Sequence, residues 1–483
     1  MTTFLLVPFK TNLTFKDPTE LQQLEEWDVF RAVHDKLFIT ESGSGDFGGV
    51  LAQSWVYNEK TKSLRIKLKE NLKFSDGRDL NAEDVIFSIK RKIRLTFETN
   101  PIVPLCLGVD KVTALKLPET SLRAVKKTGG LEIEINLGNC DQSILEELAG
   151  TNFSIVDRYS LDEKMLLKPN APTSGAFSAS VDKGEFVLKP NHQNWRYSRF
   201  QSKPNLSVHF TPMSDWANLV KAGKPFPEAS FLRTDDADLA RVLVEKGYKV
   251  RYSLPTTSVF LSLLPADPKL ISPVESQTIH FLNHNLDRTQ LIGVLKTNIY
   301  IPSEELFPKD MNCSPVEKQA EKKSSFVPSR IEIILTSLGD SPFAGLKTET
   351  EKSLSRLGFK VISIKENEIS MKPRKENTVA IQLRGQHLSL RPLEVMNLMV
   401  GQLKAVPDPQ GEMMKTIAAA MSAEKKPDTA RSIYQIFHQR NFVPIAHRRN
   451  AFLAANQRLL DVYSVSTGNL HIENLISIIG DKK

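Results

Sequence analysis

The chain has 483 residues, 64 Lys and Arg against 56 Asp and Glu, a formal net charge of +8, and three cysteines. At roughly 100–200 residues per domain this length calls for two to four domains. A composition of 40% hydrophobic and 25% charged residues excludes wholesale disorder and a collagen-like chain. No run approaches the ~18–20 apolar residues of a membrane span, and the dispersed Cys106, Cys140 and Cys313 argue against a disulfide scaffold or a cysteine-built zinc site.

At the start, Phe4-Leu5-Leu6-Val7 stops at Pro8, short of the ~7–15 apolar residues of a secretory signal. The stretch reads as a first strand, and the chain as cytosolic or as a mature or truncated form. Gly43-Ser44-Gly45-Asp46-Phe47-Gly48 matches G-x-G-x-x-G, with Glu70 some way on. A dinucleotide site would need buried parallel strands, which are continuously apolar; Ser63–Lys69 instead alternates Leu, Ile and Leu with Arg and Lys, as a half-exposed strand does. The glycines therefore read as a surface loop.

Asp76-Gly77 supplies a tight turn after that strand. Asn81 caps a helix whose first turn carries Glu83 and Asp84 and whose apolar face is Val85, Ile86 and Ile89. The basic run Lys90 to Arg94, like His447-Arg448-Arg449, lacks repeated interleaved aromatics, so each reads as a solvated face and no nucleic-acid partner is expected. A strand at 131–137, a helix near 141–149 and a hairpin within 172–189 follow.

A helix–glycine–strand unit then recurs, ending at Gly223, Gly247 and Gly358, which is the grammar of an α/β chain. The first helix begins at Ser214, the second after Asp235 or Asp236, the third at Thr350 or Glu351. Ser272-Pro273-Val274-Glu275 is a capping box with proline at the first helical position, opening a helix through His284. Asp287 caps the next helix. Asp428 starts another that ends near Asn441, and Phe442 to His447 reads as a strand; 313–329 reads as a surface connection. His280 and His284 share a helix face, but position 281 is Phe where a zinc protease has Glu, and no third ligand is identifiable. No metal and no cofactor is expected. With no G-x-S-x-G, P-loop or C-x-x-C, nothing motivates an enzyme.

Read as one string, Leu51-Ala52-Gln53-Ser54-Trp55, the strand leading into Leu72-Lys73-Phe74, and Asp76-Gly77 through Leu80-Asn81-Ala82-Glu83-Asp84-Val85-Ile86-Phe87-Ser88 resemble the family 5 extracellular solute-binding proteins. These are the peptide- and nickel-binding receptors of ATP-driven importers. Ser174-Gly175-Ala176-Phe177 with Asn191 to Trp195, Asn285-Leu286-Asp287-Arg288, Leu357-Gly358-Phe359 and Phe442-Val443-Pro444-Ile445 extend the resemblance over most of the chain, thinly beyond 300.

The resemblance implies an α/β, two-lobed periplasmic-binding-protein-like fold (type II, cluster C) with an extra β-rich subdomain in lobe I. Lobe I would comprise 1–45, the β-rich subdomain 46–165, 166–255 and a C-terminal return at 446–483, with lobe II at 256–445. It further implies a periplasmic, monomeric substrate-binding component that closes around a peptide or similar small solute and delivers it to the permease subunits of an ABC importer. The alternative is a sensor or regulatory domain that kept the fold and binds a metabolite or protein. By analogy the ligand contacts are Thr257, Phe260, Arg384, Gln386 and His387. Peptide-binding relatives carry an Asp that pairs with the peptide α-amine. The comparable stretch here has Arg384, His387 and Arg391, with no acidic residue before Glu394, which points to an anionic or differently bound ligand. Trp55 and Trp195 are read as packing residues.

Overall fold

The computed structural model describes residues 3–480 apart from 213–221, 223–229, 306–325, 338–343, 369–374, 388–441 and several shorter stretches. The chain divides into two compact units. The first is Met1–Arg233, Leu243–Arg251 and Phe452–Lys483; the second is Thr234–Val242 and Tyr252–Ala451.

In the first unit, strand Thr3–Phe9 pairs in parallel with Leu206–Pro212, which continues antiparallel into Glu185–Pro190 and Phe177–Asp182. Pro8 is tolerated because its strand is at the sheet edge. The last two strands are the hairpin expected within 172–189. A separate antiparallel sheet runs Ala52–Asn58, Ser63–Leu68, Glu132–Asn136, Val125–Lys127. Its second strand buries Leu64, Ile66 and Leu68 and exposes Arg65 and Lys67, as its alternation demands. Helix Ala82–Thr96 packs Val85, Ile89 and Ile93 into the same core. Asn81 accepts from Glu83 N at 2.9 Å, and the Asp84 carboxylate accepts from Asn81 N at 3.1 Å, so the cap is reciprocal. Gly77 has φ +90° at the turn preceding it.

Cys106 and Cys140 form a disulfide within this β-rich core. Their sequence spacing gave no sign of it; helix Ile102–Cys106 and the turn after Glu132–Asn136 bring them together. Gly138 makes that turn with φ +57°, and a Cβ there would stand 3.0 Å from the Cys106 carbonyl oxygen.

The second unit is built on a mixed six-stranded sheet ordered Tyr300–Pro302, Phe442–Arg448, Thr257–Leu264, Thr378–His387, Glu332–Ser337, Lys360–Ser363. Helix Pro273–Asn285 opens with the Ser272–Glu275 capping box. Asp287 caps Arg288–Gly293 by accepting from Gln290 N at 2.8 Å. The Arg288 guanidinium is buried, donating to the carbonyls of Pro444 (2.8 Å), Leu286 (2.8 Å) and Asn283 (3.1 Å). The Asn285 to Arg288 motif thus ties two helices to a central strand. The helix expected from Thr350 or Glu351 begins earlier, spanning Ala344–Arg356, and Gly358 (φ +94°) ends it as expected. The helices expected from Ser214 and Asp428 fall outside the described residues.

The segment closing the first unit, Phe452 onward, completes its core. Phe452 stacks on Tyr463 at 4.1 Å, and Phe231 meets Tyr463 edge-on at 6.2 Å. Among the described residues no helix is long and apolar enough to cross a membrane.

Candidate functional site

A cavity of about 490 Å³ opens within the first unit. Its walls come from four places in the chain: Ile39, Gly49 and Val50; Trp195 and Arg196; Tyr463 and Ser464; and His471, Glu473 and Asn474. The first group is set by the short ribbon Phe38–Thr40 with Phe47–Gly49, so Phe47 and Gly48 of the glycine motif end in a strand.

Asp35 organises one wall. Its buried carboxylate accepts two bonds of 2.8 Å from Arg196 Nη1, one of 3.1 Å from Asn194 Nδ2 and one of 3.2 Å from Trp195 Nε1. Asn194 in turn caps the single turn Trp195–Arg199 by accepting from Arg196 N at 3.1 Å. Lys69 stands over the indole with Nζ 3.7 Å from the ring centroid, and donates to Gly49 O at 3.0 Å and to Val50 O. Its pKa falls to about 8, chiefly because burial disfavours the ammonium and secondly because Arg196 repels it.

The cavity is also lined by Glu473 and His471. Glu473 Oε1 accepts from His471 Nδ1 at 3.2 Å, and His471 Nε2 lies 3.5 Å from Arg31 Nη1. Burial opposes ionisation of Glu473, yet the His471 hydrogen bond and the charges of His471, Arg31 and Arg196 override it and take its pKa to about 2. The arrangement holds polar and charged groups ready for a ligand, with Ile39, Val50 and Tyr463 as apolar lining.

The five residues singled out from the sequence lie elsewhere, on two neighbouring strands of the second unit. The register pairs Thr257 with His387, Ser258 with Gln386 and Phe260 with Arg384. Thr257 and Phe260 are three positions apart in an unbroken pairing with Thr378–His387 and so fall on opposite faces, with Arg384 on the face of Phe260; the pairing with Phe442–Arg448 shifts register between Val259 and Phe260. Phe260 is 2% exposed and packs edge-on against Phe442 at 5.0 Å, a core contact. Thr257 is buried and Arg384 half-buried. Only the backbone positions of Gln386 and His387 are described, and Arg391 and Glu394 lie outside the described residues. His280 and His284 are ring neighbours at 4.4 Å, with His284 Nδ1 2.8 Å from His280 O. Among the described residues no group of three His, Cys, Asp or Glu side chains is placed to hold a metal.

Residues 46–323, more than half of the chain, match the model of the bacterial extracellular solute-binding proteins, family 5, middle region. The chain belongs to this family. A curated relative, heme-binding protein A of Haemophilus influenzae, is 28% identical over 193 residues, which is 38% of this chain and 34% of the relative. The match therefore spans about a third of that relative's length.

Three solved structures share the fold of this family 5 protein. The murein tripeptide-binding protein MppA of Escherichia coli superposes with TM-score 0.67 at 16% identity, covering 94% of each chain. NikA of Brucella suis, solved with Fe(III)-EDTA, gives 0.69 at 13% identity over 97% of this chain and 99% of its own. OppA of Haemophilus influenzae, solved with the peptide RPPGFSPFR, gives 0.67 at 14% identity over 97% and 96%. The fold is that of the type II periplasmic binding proteins, with the β-rich sheet of the first unit as its added subdomain. Family and fold are those of proteins that bind solutes rather than transform them.

The family 5 motif residues identified from the sequence are largely structural in this chain, with one exception. Trp195, read as packing, also lines the cavity. Tyr463, His471 and Glu473 were not singled out at all. They come from a segment without a sequence motif, and nothing in their spacing sets them apart.

Proposed function

We propose that this family 5 protein captures a peptide or similar small solute and delivers it to the membrane permease of an ABC-type importer. The observation that carries the reading is the family match over residues 46–323. Relatives solved or named with a murein tripeptide, a peptide, Fe(III)-EDTA and heme point to a broad range of small ligands. In this reading 1–45, 46–165, 166–255 and 446–483 form lobe I and 256–445 lobe II, and the protein acts as a monomer. Thr257, Arg384, Gln386 and His387 are carried in this reading as contacts from lobe II, while Phe260, also chosen by analogy, packs in the core.

A periplasmic location belongs to the same proposal. The Cys106–Cys140 disulfide supports it, because disulfides persist in oxidising compartments and are rare where thiols are kept reduced.

Native mass spectrometry of the purified chain tests the binding role. A stoichiometric small molecule should ride on the protein and be released on unfolding. Uptake of that molecule should then fall in cells lacking the gene; unchanged uptake would remove the transport role and leave binding alone.

A further inference from the structure

We infer that His280 and His284 form a surface chelate for a divalent metal ion of the nickel, copper and zinc class. The pair belongs to the second unit, and the inference is independent of the solute-binding reading.

The two side chains lie one turn apart on helix Pro273–Asn285, both exposed, with ring centroids 4.4 Å apart. Residues at i and i+4 share a helix face. Two nitrogens bound to one zinc ion at about 2.0–2.1 Å with a tetrahedral angle stand about 3.3 Å apart. Nitrogens on the facing edges of two rings this close can reach that span.

His284 has the support that a metal ligand needs. Its Nδ1 lies 2.8 Å from the His280 carbonyl oxygen. A carbonyl only accepts, so Nδ1 holds the proton of the neutral ring and Nε2 keeps its lone pair. Metal-ligating histidines are held in this way, the second ring nitrogen donating to a carbonyl or carboxylate that fixes tautomer and orientation. Among the described residues neither imidazole makes any other hydrogen bond.

The three residues between the histidines are anchored. Phe281 packs against Phe326 and Phe359 with centroids 5.1 and 5.7 Å away, Leu282 is fully buried, and Asn283 Nδ2 donates to Phe442 O at 3.1 Å. A turn held on its inner side presents its outer side chains from a fixed backbone, which lowers the cost of ordering them on a ligand. His284 also lies in the last turn, at the end of the helix dipole that favours a cation.

The donors narrow the metal. Imidazole suits zinc, copper and nickel, whereas magnesium and calcium demand oxygen. A structural zinc site closes four positions with protein. This pair offers two, so the remaining positions stay open to water or to donors from another molecule. The glutamate of a zinc-protease helix is replaced by Phe281, which is committed to the aromatic cluster, so the general base of that motif is missing and the pair binds metal without hydrolytic chemistry.

Equilibrium dialysis of the full chain, stripped with EDTA and desalted, tests this with NiCl2, ZnCl2 and MgCl2 as probes. Ni2+ and Zn2+ should each fill a site of one ion per chain that Mg2+ does not fill. His280→Asn and His284→Asn should each weaken that site at least about tenfold, as loss of even an outer-shell partner does, and the double variant should lack it. Both positions are exposed, so the substitutions remove no buried contact. Bound Ni2+ should also slow modification of His280 and His284 by diethyl pyrocarbonate while leaving the exposed His192 reactive. A site unchanged in the double variant, or weakened by only one of the two substitutions, would overturn the chelate. Equal uptake of Mg2+, or saturation only at millimolar Ni2+, would mean an adventitious ion only and would overturn it too.

Discussion

Lys69 Nζ lies 3.7 Å from the centre of the Trp195 ring and donates from there to the carbonyl of Gly49, so one ammonium joins two walls of the cavity. Its pKa of about 8 stands below the ordinary 10.5. Above pH 8 the folded chain therefore releases a proton that the unfolded chain keeps until about 10.5, and this group makes stability rise with pH across that window. Trp195 emission should change with a midpoint near pH 8 as the cation leaves the ring face. Lys69→Met should abolish that titration; a titration surviving in the variant would assign it to another group.

Glu473 works in the opposite direction. Its folded pKa of about 2 lies below the ordinary 4.5, so its contribution is complete above 4.5 and is lost as pH falls toward 2. The displacement corresponds to about 3 kcal/mol. Chemical denaturation between pH 6 and pH 3 should show wild type losing stability faster than Glu473→Gln. Parallel pH profiles would show that the carboxylate is not held ionised by His471 and its neighbours.

Asp35 holds Arg196, Trp195 and Asn194 with one carboxylate. Asp35→Ala would leave the Arg196 charge in a site where little water replaces its partner. Removing one member of such a pair costs about 3–5 kcal/mol. The expected result is a loss of that size in urea unfolding, and a loss below about 1 kcal/mol would mean the pair is solvent-screened.

The Cys106–Cys140 bond closes a loop with sequence separation 34. Chain-entropy arguments value such a link at about 3–4 kcal/mol. Thiol titration in denaturant should find one reactive thiol per chain before reduction and three after, since the chain has three cysteines. Cys106→Ser with Cys140→Ser should lower stability by about the stated amount.

Much of the local structure is legible in the residues. The alternation at Ser63–Leu68, the caps at Asn81, Ser272 and Asp287, and the glycines at Gly77, Gly247 and Gly358 are each decided by interactions a few residues long. Such signals survive without knowing what packs where. The long motif at 51–88 identifies the family for the same reason, since it encodes a strand, a turn and a capped helix in fixed register.

The site is another matter. Asp35, Lys69, Trp195, Tyr463 and Glu473 meet although the chain between the first and the last of them runs through both units. No spacing rule relates residues brought together by separate strands and a returning C-terminal segment. The five residues chosen by analogy illustrate the converse. Thr257 and Phe260 are near neighbours in sequence, yet the two-residue period of the strand turns them to opposite faces. Composition, caps and periodicity determined the class of this protein, and the long motif at 51–88 carried its family resemblance. Its cavity was decided only by tertiary structure, because burial sets which carboxylate stays charged, and burial depends on the whole fold.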